Sequence, residues 1–119
     1  MDYRRIAVEE RGAVTVVTLC DNELTEQKLL DELRGEILSF ADTMQPRMLV
    51  VDFARVSVLS SEVMGILIRL RRNLESVGGE LILCGMTPAI EEVFRISNLR
   101  DYRIVPDLAA ALEQTAAPA

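Results

Sequence analysis

Apolar and polar positions change their rhythm several times along the chain, and each change predicts an element. In "RRIAVEE" Ile6 and Val8 fall on one face. "AVTVVTLC" is rich in β-branched residues, and the turn signal Arg11-Gly12 separates the two, which predicts a hairpin. "DNELTEQ" is polar and breaks the strand pattern. From Thr25 the period lengthens: Leu30, Leu33, Ile37, Phe40 and Met44 recur at helical spacing and form one apolar face. Gly35 inside that helix costs about 1 kcal/mol relative to alanine, and Pro46 ends the connection. "RMLVVDF" is an almost continuous apolar run, as expected of a strand covered on both faces in a parallel sheet. "ARVSVLSSE" leads into a second helix with the stripe Val63, Leu67, Leu70, Leu74 and Val77, closed by Gly78-Gly79. "ELILCG" predicts another buried strand. "MTPAIEEVFRISN" predicts a third helix with Thr87 as N-cap, Pro88 at its first position, Ile90, Val93 and Phe94 inward, and Asn98 as a left-handed C-cap. "YRIV" is a last strand, and Asp107 is placed to cap a final helix, "LAAALEQ".

The order is a strand pair followed by alternating helices and strands. That alternation predicts an α/β domain built on a small mixed β-sheet, mostly parallel with one antiparallel edge pair, and about four helices. Residues 1–115 read as a single domain, with 116–119 a frayed tail.

Composition narrows the chemistry. The chain has 119 residues, half of them hydrophobic, with 4% aromatics and no Trp, so its core is aliphatic. A chain of this size buries roughly two-thirds of the surface its unfolded form exposes, enough for a core without metal or disulfide. A net charge of -6 argues against a nucleic-acid footprint. The one dense basic run, Arg69, Arg71 and Arg72, reads as a solvated helix face. Histidine is absent, which removes the commonest general base and metal ligand. Lys28 is the only lysine, so a serine nucleophile lacks an activating base. Gly78-Gly79 follows a helix and precedes a strand, the reverse of a phosphate-binding loop. Asp52, inside the apolar run, is expected to accept from backbone at the strand end. Cys20 and Cys84 read as buried free thiols. No apolar run reaches the roughly 18–20 residues of a membrane span and no secretory signal opens the chain, so the expectation is a cytoplasmic protein. No catalytic residue, cofactor or metal ligand is expected.

The most informative stretch is "SVLSSEVMG", residues 57–65. Ser60 stands where a helix N-cap belongs, a role worth about 1 kcal/mol. Ser61 and Glu62 fall in the first turn, where Glu62 complements the helix dipole. Met64, Ile66 and Ile68 lie off the inward stripe and suggest either wide coverage or a docking surface.

From Met48 to Val105 the chain resembles the STAS family (sulfate transporter and anti-sigma factor antagonist). The correspondence runs through "LVVDFARVSVLSSEVMGILIRL" and "GGELILCGMTPAIEEVFRISNL". It follows the family's strand ending in Asp, its "DSSG-LG" helix start, its "GG", and its strand with a Pro shortly after. The resemblance implies helices packed mainly on one side of the sheet and a regulatory phosphoserine at Ser61, with Ser60 the second candidate. In the four-residue motif the family Asp falls on Ser60, the second Ser on Glu62 and the Gly on Val63, while the later Gly is kept as Gly65. The family's motif after the second strand is eroded to "DNELTE". The implied function is a non-enzymatic module in partner switching. It would bind an anti-sigma factor or related serine kinase, with a phosphatase to reset it, through Ser60, Ser61, Glu62, Met64 and Gly65. A phosphate on Ser61 would block or re-route that binding, and Glu62 beside it would add like-charge repulsion. The alternative role is a constitutive subunit of a stress-signalling assembly or a lipid-transporting ABC system.

Overall fold

The computed structural model describes residues 2–97, 99 and 101–115, so the expected Asn98 cap and the 116–119 tail lie outside the described residues. The predicted hairpin is present. Strand β1 (Ile6–Arg11) pairs antiparallel with β2 (Val14–Leu19) around a turn that puts Gly12 at φ 63°. A two-residue strand, β3 (Glu23–Leu24), precedes helix α1 (Gln27–Met44). Strand β4 (Met48–Asp52) follows, then a second short strand β5 (Val58–Leu59) and helix α2 (Ser61–Glu75). The chain continues through β6 (Glu80–Cys84), α3 (Pro88–Arg95), β7 (Arg103–Val105) and α4 (Leu108–Thr115).

Five strands form one sheet in the order β1-β2-β4-β6-β7, parallel except for the first pair. The period of two divides its side chains. Val17, Leu19, Leu49, Val51, Leu81 and Leu83 pack under α1, α2 and α3, while Val14, Val16, Val50, Ile82 and Val105 face Ala111 of α4. Three helices therefore lie on one face and a single short one on the other. Helix α3 begins as the sequence predicts: Thr87 Oγ1 accepts from the Ile90 amide at 3.2 Å and Pro88 occupies the first position. Asp107 Oδ1 accepts from the Ala110 amide at 2.8 Å at the start of α4.

The ends of the predicted stripes need correction. Met44, Val77 and Val93 are exposed rather than inward. Met44 is the last residue of α1, Val77 lies past the end of α2, and Val93 lines a surface groove between β5 and α3 rather than the core. Ala41 takes the inward place on α1, and Ile66 is buried because α2 packs on α1 as well as on the sheet, which widens its apolar arc. "DNELTEQ" does not simply break the strand pattern, since β3 within it pairs in parallel with β5 as a second, two-stranded sheet.

At the C-terminal edge of the sheet Asp52 is buried, and its Oδ1 accepts from the Ala54 amide at 3.0 Å, the backbone role expected of it. Cys84, paired with Asp52 in register, is a free and buried thiol; Cys20 is free but only half-buried. Burial, and then the Asp52 charge beside it, push the Cys84 thiol up to about 12. At neutral pH it stays protonated, the form that does not act as a nucleophile. A thiol-reactive probe should therefore label folded protein at Cys20 and spare Cys84 until urea is added. Equal labelling of both in the native state would contradict this environment.

Candidate functional site

The site is assembled by the connection between β4 and α2. Phe53 donates its amide to the Cys84 carbonyl at 2.8 Å, and Val56 donates back to the Phe53 carbonyl at 2.9 Å, closing a turn. Phe53 and Val56 are both buried, and Phe53 meets Phe94 of α3 edge-on with ring centroids 6.1 Å apart. The next residues are held by Asn22. Its carbonyl accepts from the Ser57 amide at 2.8 Å, its Nδ2 donates to the Arg55 carbonyl at 3.1 Å, and Ser57 Oγ donates to its Oδ1 at 2.8 Å. Strand β5 then pairs with β3, and the Ser60 amide donates to the Leu24 carbonyl at 3.0 Å. The residues before α2 are thus fixed on both sides, although their sequence is polar and short of periodicity.

Ser60 and Ser61 occupy different environments. Ser60 has the extended backbone of an N-cap, φ -88° and ψ 164°, and its carbonyl accepts from the Val63 amide at 3.1 Å. Its hydroxyl does not cap: Oγ is shielded from solvent and has no hydrogen-bond partner among the described residues. This corrects the sequence expectation. A buried hydroxyl without a partner is a net cost, so Ser60→Ala is expected to be neutral or to stabilise by up to about 1 kcal/mol. Urea unfolding measures this; a loss of 1 kcal/mol or more, the cost of removing a working cap, would mean that Ser60 caps α2 in solution.

Ser61 is the first residue of α2 and is exposed. Among the described residues the amides of Ser61 and Glu62 make no hydrogen bond, so the first turn of α2 offers free donors and the positive end of its dipole to solvent. Two shallow apolar grooves meet at Ser61 and Met64. One, of about 250 Å³, runs between β5 and α3 and includes Val58, Leu59, Ala89, Ile90 and Val93. The other, of about 240 Å³, runs beside α2 and includes Gly65, Ile68 and Leu99. Val58 is 47% exposed, Val93 44% and Ile96, one turn beyond Val93, 75%. Of the five large exposed hydrophobics among the described residues, Val58 and Val93 line the first groove, Ile96 follows at the end of α3, and Met44 and Val77 lie at the far ends of α1 and α2. The apolar residues suspected from the sequence divide accordingly: Met64 and Ile68 reach the surface grooves, and Ile66 is core.

Glu62 points away from these grooves toward α1. Its Oε2 accepts from Arg34 Nη2 at 2.6 Å and from Gln27 Nε2 at 3.0 Å. The hydrogen bond to Glu62 raises the Arg34 guanidinium above its ordinary pKa. Glu62 therefore ties the start of α2 to α1 through Arg34, which it shares with Asp31 at 3.2 Å, so the like-charge repulsion expected of it is offset in part. Asn22, Gln27, Arg34, Val93 and Ile96 have no place in the expected site. Of these, Ile96 lies off the predicted inward stripe of α3, so its exposure was open to suspicion; Val93 sits in that stripe, three residues from Ile90, and its exposure carried no signal. Gly65, kept from the motif, has open space where a Cβ would stand. Among the described residues no three His, Cys, Asp or Glu side chains converge as a metal site, and no helix is long and apolar enough to cross a membrane.

Comparison with known proteins supports one family throughout. The STAS domain model matches residues 5–113. BtrV of Bordetella bronchiseptica, assigned as an anti-sigma factor antagonist, is 32% identical over 91 residues, covering 74% of this chain and 78% of that protein. An anti-sigma-factor antagonist (STAS) domain protein from Planctomyces limnophilus superposes with a TM-score of 0.82 at 21% identity, over 93% of this chain and 97% of that one. The Bacillus cell fate determinant SpoIIAA in its phosphorylated form superposes with a TM-score of 0.70 at 24% identity, over 92% and 98%. At these identities the two structures speak for the fold.

Proposed function

The chain belongs to the STAS domain family, and from that premise we propose that it is a regulatory binding module of the anti-sigma factor antagonist kind, switched by phosphorylation of Ser61. The observation that carries this reading is the contrast between adjacent hydroxyls: Ser61 is exposed between two apolar grooves, and the Ser60 oxygen is closed off. The module acts by binding rather than by catalysis. Its partner is an anti-sigma factor or a related serine kinase that docks over the start of α2, with Ser61, Met64 and Gly65 at the centre and the backbone around Ser60 as the frame. Glu62 contributes by holding that frame to α1.

The switch is local electrostatics. A phosphate adds about -1.5 to -2 charge at neutral pH. The free amides of the first turn and the helix dipole stabilise such a charge, so the fold persists. A partner whose apolar side chains fill the grooves would have to strip water from a dianion to close over it, and an unpaired charge is costly to desolvate. Unmodified Ser61 permits binding, phosphoserine prevents it, and a phosphatase restores it. Incubation with the partner kinase and ATP should add one phosphate, on Ser61, and none to Ser61→Ala. Incorporation into Ser61→Ala at the wild-type rate would remove Ser61 from the switch.

A further inference from the structure

The outward face of α2 carries a second feature that runs on from the serine. Ser61, Gly65, Arg69 and Arg72 are all exposed and fall at three- and four-residue spacing, so they form one ridge along the helix. At 1.5 Å per residue, Arg69 stands about 12 Å along the axis from Ser61. Arg71, between Arg69 and Arg72 in the sequence, turns to the other side. It pairs with Glu75 at 3.0 Å and Asp101 at 3.6 Å and lies 4.1 Å over the Tyr102 ring. Arg69 and Arg72 have no ion pair among the described residues. Of the nearby carboxylates, Glu62 pairs with Arg34 and Glu75 with Arg71, while Asp42, which accepts from the Asn73 side-chain amide at 3.5 Å, lines a polar groove with Arg69 without forming an ion pair to it. A chain of net charge -6 thus keeps two guanidinium groups without an ion pair among the described residues on one ridge. Beside its N-terminal half lies the apolar trough of Met64, Ile68 and Leu99. Gly65 leaves the middle of the ridge without a side chain, and open space stands where its Cβ would be.

We propose that this ridge is a docking surface for an acidic amphipathic helix of a partner protein. Its apolar side chains would lie in the trough, its backbone would pass close over Gly65, and its carboxylates would pair with Arg69 and Arg72. The complementarity of charge and the adjoining apolar trough favour this occupant. An anionic membrane or a nucleic acid would meet two cations on an otherwise acidic protein. The inference rests on the Ser61 reading in one respect only: a phosphate at the head of the ridge would repel the same carboxylates that the arginines attract.

The test uses the full chain, labelled for amide NMR, with two synthetic amphipathic helical peptides, one built of Glu and Leu and one of Lys and Leu. The Glu-Leu peptide is expected to shift the amides of Gly65, Arg69 and Arg72. The Arg69→Ala/Arg72→Ala double variant, which should melt like wild type because both side chains are exposed, is expected to weaken that binding by about threefold to thirtyfold. Raising salt toward 1 M should weaken it as well, since the Debye length falls to about 3 Å. The proposal is overturned if no ridge amide shifts, if the Lys-Leu peptide binds equally well, or if the double variant binds like wild type. It is also overturned if vesicles of phosphatidylserine and phosphatidylcholine, and not the peptide, engage the two arginines. Ser61→Asp separates the two ideas: weaker binding of the Glu-Leu peptide supports both. An unchanged affinity upholds the ridge and overturns the repulsion ascribed to Ser61.

Discussion

A Gly85→Ala variant is expected to be about 2–5 kcal/mol less stable than the wild type, a sum of two terms of similar size. Gly85 follows β6 with φ at +76°, a left-handed conformation that costs an L-residue with a Cβ roughly 1–2 kcal/mol. The added Cβ would also overlap Asp52 Oδ1 and stand 3.0 Å from the Ala54 amide nitrogen. Asp52, itself buried, would have to swing away from that amide, and a buried polar side chain that loses its partner costs about 1–3 kcal/mol. Against a typical domain stability of about 5–15 kcal/mol this is a large fraction. The control is Gly78→Ala. Gly78 has φ +81° and open space where its Cβ would stand, so it reports the backbone term alone. Urea unfolding of the two variants should therefore separate them by about the value of the Asp52–Ala54 bond, 1–3 kcal/mol. Equal losses would mean that Asp52 does not hold the chain as it leaves β4. The consequence reaches the site, because Ala54 opens the connection that delivers Ser60 and Ser61 to α2.

The second large effect is on binding. Ser61→Asp is expected to weaken the partner complex at least tenfold, equivalent to about 1.4 kcal/mol or more. Stability should stay within about 1 kcal/mol of wild type, because a carboxylate in the first turn is favourable to a helix. Ser61→Ala should keep its affinity, since it adds no charge at this exposed position and leaves the fold unchanged. Titration calorimetry against the partner reads the first quantity and thermal unfolding the second. A loss of several kcal/mol in the Asp variant would show that Ser61 is buried in solution. Equal affinity in both variants would show that charge at this position is not read by the partner.

The five-stranded sheet and its helices were legible because their signals are long. The change from period two to helical spacing at α1 and the apolar runs of β4 and β6 each span enough residues to exclude the alternatives, and the Thr87-Pro88 pair marks the start of α3 by residue type. What failed to show was of two kinds. Strands β3 and β5 have two residues each, too few for any periodicity, and they exist because Asn22 and Leu24 meet Ser57 and Ser60 in space. Arg34 and Glu62 are 28 residues apart, and no local pattern joins them. The failure at Ser60 is different. Its residue type and backbone both fit a cap, but its Oγ accepts from none of the first-turn amides. A helix start was therefore readable and the hydroxyl's orientation was not. Ser61, Met64 and Gly65 do come together at the surface, as their spacing on one helix dictates, and the groove beside them is completed by α3, whose outward residues carry no motif.

The most direct measurement is phosphosite mapping of the protein purified from its native cells, by intact mass followed by peptide fragmentation, across growth and stress conditions. A fraction of molecules carrying one phosphate, on Ser61, is the expected result. A phosphate on Ser60 or Ser57, or protein that stays unmodified under every condition, would contradict it.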